Sequence, residues 1–109
     1  ETERLALALP EIYALPELAD RVVLNIVDAL ICQYQGEEFT RFNYATQLNQ
    51  LWFSRDPVAV DVLALQEFDR HRAEKKSQKS ALQIYSNAAL MDLGVANTNR
   101  IRVERLELK

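Results

Sequence analysis

The chain has 109 residues, of which 49% are hydrophobic and 27% are charged, and its formal net charge is −3. This composition is typical of one globular domain with an apolar core, and it excludes an intrinsically disordered chain. A slightly acidic balance offers no global attraction to nucleic acid or to an anionic membrane surface. No apolar run approaches the ~20 residues that a membrane-spanning helix needs. We therefore expect no nucleic-acid partner and no membrane span.

The chain contains a single cysteine, Cys32, and a single histidine, His71. Zinc sites of the Cys/His kind and iron–sulfur clusters both need a larger set of such ligands. We therefore expect no iron–sulfur cluster and no Cys/His zinc site within this chain. Cys32 follows an apolar run and is interpreted as a small core or loop residue. His71 is expected to be exposed.

Two prolines divide the N-terminal segment RLALALPEIYALPELAD. Pro10 and Pro16 each suit the first turn of a short helix and neither suits a helix interior. The second predicts a short helix near Pro16 to Ala19. Residues Leu5 to Leu9 fit either a strand, because their leucines alternate, or a helix, because alanines separate them.

The next segments predict two strands joined by a long loop. Arg21 to Ile31 is rich in β-branched residues and is apolar on both alternating faces, as in a central strand covered on both sides. Cys32 to Gln50 shows no clear period and is interpreted as a loop that is functional or mobile. Leu51 to Ser54 is short and apolar and predicts the second strand.

Two helices follow. Asp56 is a good N-cap and Pro57 suits the first helical position, so this helix is predicted to start here and to continue to about Glu74. Ser80 and Gln83 fit a capping box at the start of the second helix. That helix is predicted to end near Leu93, with Gly94 as the left-handed residue beyond it.

The C-terminal stretch RIRVERLEL predicts a last strand. Its apolar residues change phase along the chain, which a bulge near Glu104–Arg105 would reconcile. The order of elements indicates an α/β fold in which helices pack on a small mixed or parallel sheet of about three to four strands. The connection from Ser54 to Arg100 is long enough for a parallel crossover.

Polar residues at the strand ends form the first candidate site. Asp28 and Ser54 both follow apolar strand residues, Asn25 precedes Asp28 in the same strand, and Asp56 starts the next helix. If the two strands are parallel, these residues converge at one edge of the sheet, where ligands of open α/β sheets gather. With Asp61 they would offer oxygen ligands for Mg²⁺ or Ca²⁺. If the strands are antiparallel, Asp28 and Ser54 lie at opposite ends and no cluster forms.

The second candidate is Asp61, which lies among apolar residues of the predicted helix. On a helical wheel it falls between Phe68 and Leu65, inside the apolar stripe. A buried carboxylate must be hydrogen-bonded, paired or protonated. Asp61 either lines a polar pocket with Asp28, Ser54 and Asp56, or accepts hydrogen bonds from the backbone of a neighbouring loop. The predicted ligand-binding set is Asn25, Asp28, Ser54, Asp56 and Asp61, and the predicted metal ligands are Asp28, Asp56 and Asp61.

A family resemblance rests on two segments and on the end of the chain. LNIVDAL (Leu24–Leu30) precedes SRDPVAVD (Ser54–Asp61), and a helix ending in glycine leads into RIRVERLEL (Arg100–Leu108). Together they resemble the C-terminal part of the bacterial and archaeal family known as domain of unknown function 362. The resemblance covers about Arg21 to Leu108. Members are described as iron–sulfur-associated, and some carry export signals.

The length predicts a single domain over residues 1–109. The resemblance implies that this domain belongs to the C-terminal part of a longer protein. Its expected partner is the missing N-terminal part, and its expected compartment is the bacterial cytoplasm or the periplasm. The first functional hypothesis is a ligand- or metal-binding half of a larger redox-associated protein. The alternative is a non-catalytic structural or association domain. The residues assign no catalytic group and leave open whether the protein is an enzyme.

Overall fold

A computed structural model describes residues 2–35, 44–72 and 79–108, and the side chains of residues 3–35, 44–72 and 82–108. The chain forms an α/β structure in which one helix packs on a hairpin and the other long helices pack mainly on helices. The elements, in chain order, are α1 (Thr2–Tyr13), α2 (Pro16–Ala19), β1 (Asn25–Gln33), β2 (Ala45–Ser54), α3 (Pro57–His71), α4 (Lys79–Leu90) and a 3-10 turn (Thr98–Arg100).

The N-terminal segment forms a helix where the sequence allowed either a strand or a helix. Leu5 to Leu9 lie within α1, and the predicted short helix at Pro16 to Ala19 is confirmed as α2. Pro10 was expected to start a helix but lies inside α1. A proline cannot donate to the carbonyl four residues earlier, which here is that of Ala6. The side chain of Asn87 on α4 donates to this carbonyl instead, at 3.0 Å, so the helix continues through the proline.

Strands β1 and β2 form a two-stranded antiparallel hairpin. The pairing of these two strands, which the sequence left open, is therefore antiparallel. The described residues contain neither a sheet of three to four strands nor a parallel crossover after Ser54, because residues 101–108 form no strand. The predicted loop is also too long, because β2 begins at Ala45. The stretch ATQLNQ that opens β2 carries few β-branched residues, so the sequence signal for a strand is weak there. The rest of the predicted loop, residues 36–43, lies outside the described ranges.

The hairpin has one covered face and one open face. Ala29 and Cys32 are buried on the face that α3 covers. The opposite face exposes a group of large apolar side chains, which we call the open face: Ile26, Leu30, Leu51 and Phe53. Ile26 lies directly opposite Phe53 in the register, so the two share this face. The expectation of a strand covered on both sides therefore holds on one side only.

The helices form a small core. Val58 and Val62 of α3 are buried against Ala88 of α4, and Tyr85 and Leu93 pack around them. Among the side chains that the structure describes, no large one is fully buried. The core is therefore built mainly from small and medium-sized residues.

Both long C-terminal helices end earlier than predicted. Helix α3 ends at His71 rather than near Glu74, and α4 ends at Leu90 rather than near Leu93. The residue with positive φ after α4 is Asp92, at 56°, and not Gly94. The amide of Leu93 donates to the carbonyl of Ala88 at 3.0 Å and that of Asp92 donates to the carbonyl of Ala89 at 3.1 Å. This pair of bonds is a Schellman motif. The predicted capping box falls on Ser80, whose side chain is outside the described set.

The predicted last strand is wrong. The chain makes a 3-10 turn at Thr98–Arg100 and then runs through residues 101–108 without strand pairing. Leu106 and Leu108 are 91% and 98% exposed. The apolar alternation of this segment suits a strand, but a strand needs a neighbour for its backbone hydrogen bonds, and none of the described residues supplies one.

Candidate functional site

The antiparallel register separates the residues that were expected to converge. Asn25 lies opposite Ser54, and Asp28 lies opposite Leu51. Asp28 is exposed on the open face, where its Oδ1 accepts a hydrogen bond from the amide of Leu30 at 3.1 Å. Its carboxylate therefore bonds the backbone of its own strand and does not join the start of α3.

Asn25, Ser54 and Asp56 do come together, at the junction between β2 and α3. The side-chain amide of Asn25 donates to the carbonyl of Ser54 at 3.1 Å. The hydroxyl of Ser54 accepts from the amide of Asp56 at 2.9 Å and donates to its carbonyl at 3.0 Å. These bonds satisfy backbone groups of the turn itself.

Both carboxylate oxygens of Asp56 accept backbone amides. Oδ1 accepts from the amide of Ala59 at 2.8 Å, so Asp56 is the N-cap that the sequence predicts. Oδ2 accepts from the amide of Val95 at 2.9 Å, across 39 positions of the chain. Asp56 thus ties the start of α3 to the segment after α4. Because its oxygens already serve the protein's own backbone, this junction is structural.

Gly94 is required at this junction for space and not for a left-handed backbone. A Cβ atom at Gly94 would overlap Oδ1 of Asp56 and would also crowd the side chain of Val58. The Schellman motif at the end of α4 turns the chain so that Gly94 and Val95 pass directly beside the Asp56 carboxylate. The glycine in this position therefore permits the close approach that the Val95 hydrogen bond needs.

Asp61 faces a different part of the molecule. It lines a cleft of about 160 Å³ between α1, α3 and α4, together with mostly apolar residues. The lining residues are Leu9, Pro10, Tyr13, Pro57, Val58, Asp61, Ile84, Tyr85, Ala88 and Leu93. No backbone amide of the described residues donates to Asp61, whereas the amide of Val95 in the segment after α4 donates to Asp56.

The cleft changes the pKa of Asp61. Asp61 is exposed to solvent, so the expectation of a buried carboxylate inside the apolar stripe of α3 is wrong. The apolar walls of the cleft still remove part of its hydration, and this partial burial raises the pKa of its carboxyl group above the usual value. The pKa of Tyr85 is also raised, first by burial and second by the negative charge of Asp61. The Asp61 charge therefore acts on the hydroxyl group of Tyr85.

The three predicted metal ligands lie in three places. Asp28 is on the open face, Asp56 is at the β2–α3 junction and Asp61 is in the cleft. Within the parts of the chain that the structure describes, no group of three His, Cys, Asp or Glu side chains is placed to hold a metal ion. The ligand roles of the five predicted residues stay a prediction.

A polar cluster at the end of α3 was missed in the sequence. His71 Nε2 lies 3.0 Å from Glu67 Oε1, and the His71 ring packs 5.7 Å from that of Tyr34. The Arg72 Nε donates to the Tyr34 carbonyl at 2.8 Å. His71 is thus partly buried and paired, contrary to expectation. The spacing of Glu67 and His71, four residues apart on a helix, was the signal that indicated this pair.

Cys32 lies beside this cluster, and its thiol is unreactive. Burial raises the pKa of its thiol, the Glu67 carboxylate raises it further and the Arg72 cation partly opposes both. The thiol therefore stays protonated near neutral pH and is a poor nucleophile. This agrees with the interpretation of Cys32 as a core residue, and it is buried.

Comparison of the chain with protein-family models, with curated proteins and with solved structures found no match. The resemblance to the domain of unknown function 362 family therefore stays a prediction. Of the helices in the described ranges, none combines the length and the apolar character needed to cross a bilayer.

Replacing Asp61 with asparagine is expected to stabilise the protein at neutral pH. A carboxyl group whose folded pKa is raised favours folding while it is protonated, and this contribution is lost as the pH rises through the folded pKa. The asparagine side chain does not ionise, so the variant has no such loss. The free energy of unfolding of D61N should therefore exceed that of the wild type at pH 7 by up to about 1 kcal/mol, since partial exposure weakens the effect.

Urea unfolding at a series of pH values measures this difference. The two stability curves should converge below the ordinary carboxyl pKa of 3.8, where Asp61 is protonated in both the folded and the unfolded chain. Asp20→Asn, at an exposed acid outside the cleft, is the matched control, and it should change the free energy of unfolding little. A D61N protein that is less stable than the wild type at pH 7 would instead show that the carboxylate accepts a stabilising hydrogen bond.

Proposed function

We propose that this chain is an association domain that completes its sheet and its core with another polypeptide. The observation that carries the proposal is the open face of the hairpin. Ile26 and Phe53, which pair across the strands, are each 61% exposed, and Leu51 beside them is 56% exposed. Large apolar groups gathered on one face of a sheet are characteristic of a protein–protein contact.

The hairpin has further reasons to need a partner. A two-stranded sheet is marginally stable alone, and three or more strands are usually required. Both outer edges of this sheet are unpaired among the described residues, and each leaves backbone groups free to accept another strand. The segment after Ile101 also has the apolar alternation of a strand. Leu106 and Leu108 of this segment are exposed, and it pairs with no strand among the described residues. A partner that adds strands would satisfy all three features.

We propose that the partner is another part of the same parent protein, as the family resemblance implies. In this arrangement α3 covers one face of the enlarged sheet and the parent's remaining part covers the open face. The two-layer structure thereby becomes three-layered, which is the usual way that an α/β sheet is covered. The domain then acts by positioning and stabilising its partner.

Replacing Leu51 and Phe53 together with threonine tests the open face. Threonine retains β-propensity, so the free energy of unfolding of the isolated chain should change by less than about 1 kcal/mol. The fluorescence of a bound hydrophobic dye and the concentration-dependent self-association of the wild type, followed by light scattering, should both fall. Val62→Thr, a matched change in the buried core, should cost about 1–3 kcal/mol because it buries a hydroxyl.

Two results would contradict the proposal. The double variant would be as destabilised as Val62→Thr if the open face were already packed within the chain. A wild type that stays monomeric at high concentration and binds no dye would show that the face does not attract a partner. Hydrogen exchange supplies a direct comparison, since the amides of β1 and β2 should exchange more slowly in the parent-length protein than in this chain alone.

A further inference from the structure

We propose that the cleft between α1, α3 and α4 binds a small primary amine that carries a compact apolar body, such as a single ring. The Asp61 carboxylate would pair with the ammonium group and the apolar walls would enclose the ring. This site is separate from the proposed association surface. The cleft is lined by the helices and the turn after α4, whereas the open face belongs to the hairpin, so each proposal can fail without the other.

The size of the cleft sets the size of the ligand. Its volume is about 160 Å³. A cavity of about 150 Å³ lined by apolar side chains accommodates benzene. The walls here are of the same kind, with Leu9 from α1, Ile84 from α4 and Val58 from α3, although this cleft is open to solvent. One ring with a short substituent therefore fills the cleft.

The charge in the cleft sets the chemical class of the ligand. Asp61 is the one charged residue among the described residues that line it, and the other titratable groups that face it are Tyr13 on α1 and Tyr85 on α4. A lone carboxylate among apolar walls suits an organic ammonium better than Mg²⁺ or Ca²⁺, which require several oxygen ligands. The tyrosines add ring surfaces of the kind to which cations are attracted.

The pKa of Asp61 supports this choice. Burial raises it, so the isolated cleft disfavours the charged form. A cation placed beside the carboxylate reverses that effect and favours the charged form. Ligand binding is therefore expected to lower the pKa of Asp61 and to weaken as the pH falls through it. The neighbouring Tyr85 stays protonated over this range, because its pKa is raised above an already high value.

The test compares benzylamine with benzyl alcohol, which has the same ring and a neutral polar group. Amide resonances of the full chain are followed during each titration at pH 7. Benzylamine is expected to shift the amides of Val58 and Ala88 saturably, and benzyl alcohol is expected to bind at least about tenfold more weakly. In Asp61→Asn the benzylamine affinity should fall to that of the alcohol, while the alcohol affinity should stay unchanged.

A second measurement needs no variant. As the pH is lowered, the wild type should lose affinity for benzylamine but not for benzyl alcohol, because only the amine depends on the ionised carboxylate. Equal affinity for the two probes, an unchanged preference in Asp61→Asn, or shifts that do not saturate would each overturn the proposal. Saturable shifts confined to the open face of the hairpin would also overturn it, since they would place the probe at the association surface.

Discussion

Replacing Gly94 with alanine is expected to lower the free energy of unfolding by about 3 kcal/mol, near the upper end of single substitutions in this protein. The new Cβ atom would overlap Oδ1 of Asp56 and crowd Val58. Neither neighbour can yield easily. The Asp56 carboxylate is held by two backbone amides, and Val58 is buried in the core between α3 and α4.

The cost has two sources. Forcing an extra methyl group into a packed site typically costs about 1–3 kcal/mol through shifts of side chains and backbone. If the segment moves away instead, the hydrogen bond from Val95 to Asp56 is lost, and bonds to charged groups are worth about 1.5–3 kcal/mol. Chemical denaturation measures the sum, and circular dichroism verifies that the helices persist.

A double-mutant cycle identifies the clashing partner. In an Asp56→Ala background the oxygen that the new methyl group would overlap is gone. Gly94→Ala should therefore cost clearly less there than in the wild type, with a coupling energy of about 1 kcal/mol or more between the two sites. Additive costs would show that the methyl group is tolerated beside Asp56 and that Gly94 is required for another reason.

Replacing Asp56 with alanine is expected to cost about 2–3 kcal/mol. Loss of an N-cap alone costs about 1 kcal/mol. The structure adds a second loss, because the amide of Val95 then has no acceptor in a half-buried position. Leaving such a donor unsatisfied costs about 1–3 kcal/mol, and water reaching the site would reduce the higher values.

Asp56→Asn separates the two contributions. Asparagine offers one acceptor oxygen instead of two, so it can retain the bond to Ala59 and cap the helix while losing the bond to Val95. Its stability should lie between those of the wild type and Asp56→Ala, as measured by urea unfolding at pH 7. If Asp56→Ala costs only as much as an ordinary cap, the bond to Val95 contributes nothing and the role of the residue is purely local.

The elements that could be predicted are those determined by interactions between residues close together in the sequence. The Asp56-Pro57 pair marks the start of α3, and Pro16 marks α2, because a capping carboxylate and a fixed proline φ act within one helical turn. The apolar run after Arg21 indicates β1, although the strand itself spans Asn25–Gln33. For these elements the local pattern and the tertiary structure agree, as they do in sequences that fold reliably.

The elements that could not be predicted depend on contacts between distant residues. Pro10 suits a helix end by itself, but Asn87 supplies the donor that its helix interior lacks. Gly94 suits a left-handed helix end, but Asp92 takes that conformation and Gly94 makes room for Asp56. In each case the deciding partner lies tens of residues away, and no window of the sequence contains both.

The sequence by itself determined the α/β character and the start of α3, because these follow from hydrophobic patterning and from local dihedral preferences. Only the tertiary structure decided what the polar residues do. The antiparallel register sends Asp28 to the open face, and the close approach of Val95 makes Asp56 a structural bond. Helix packing places Asp61 beside Tyr85 in an apolar cleft. Register and helix packing are set by the folded chain as a whole, and they determine which carboxylate binds backbone amides and which one lines the cleft.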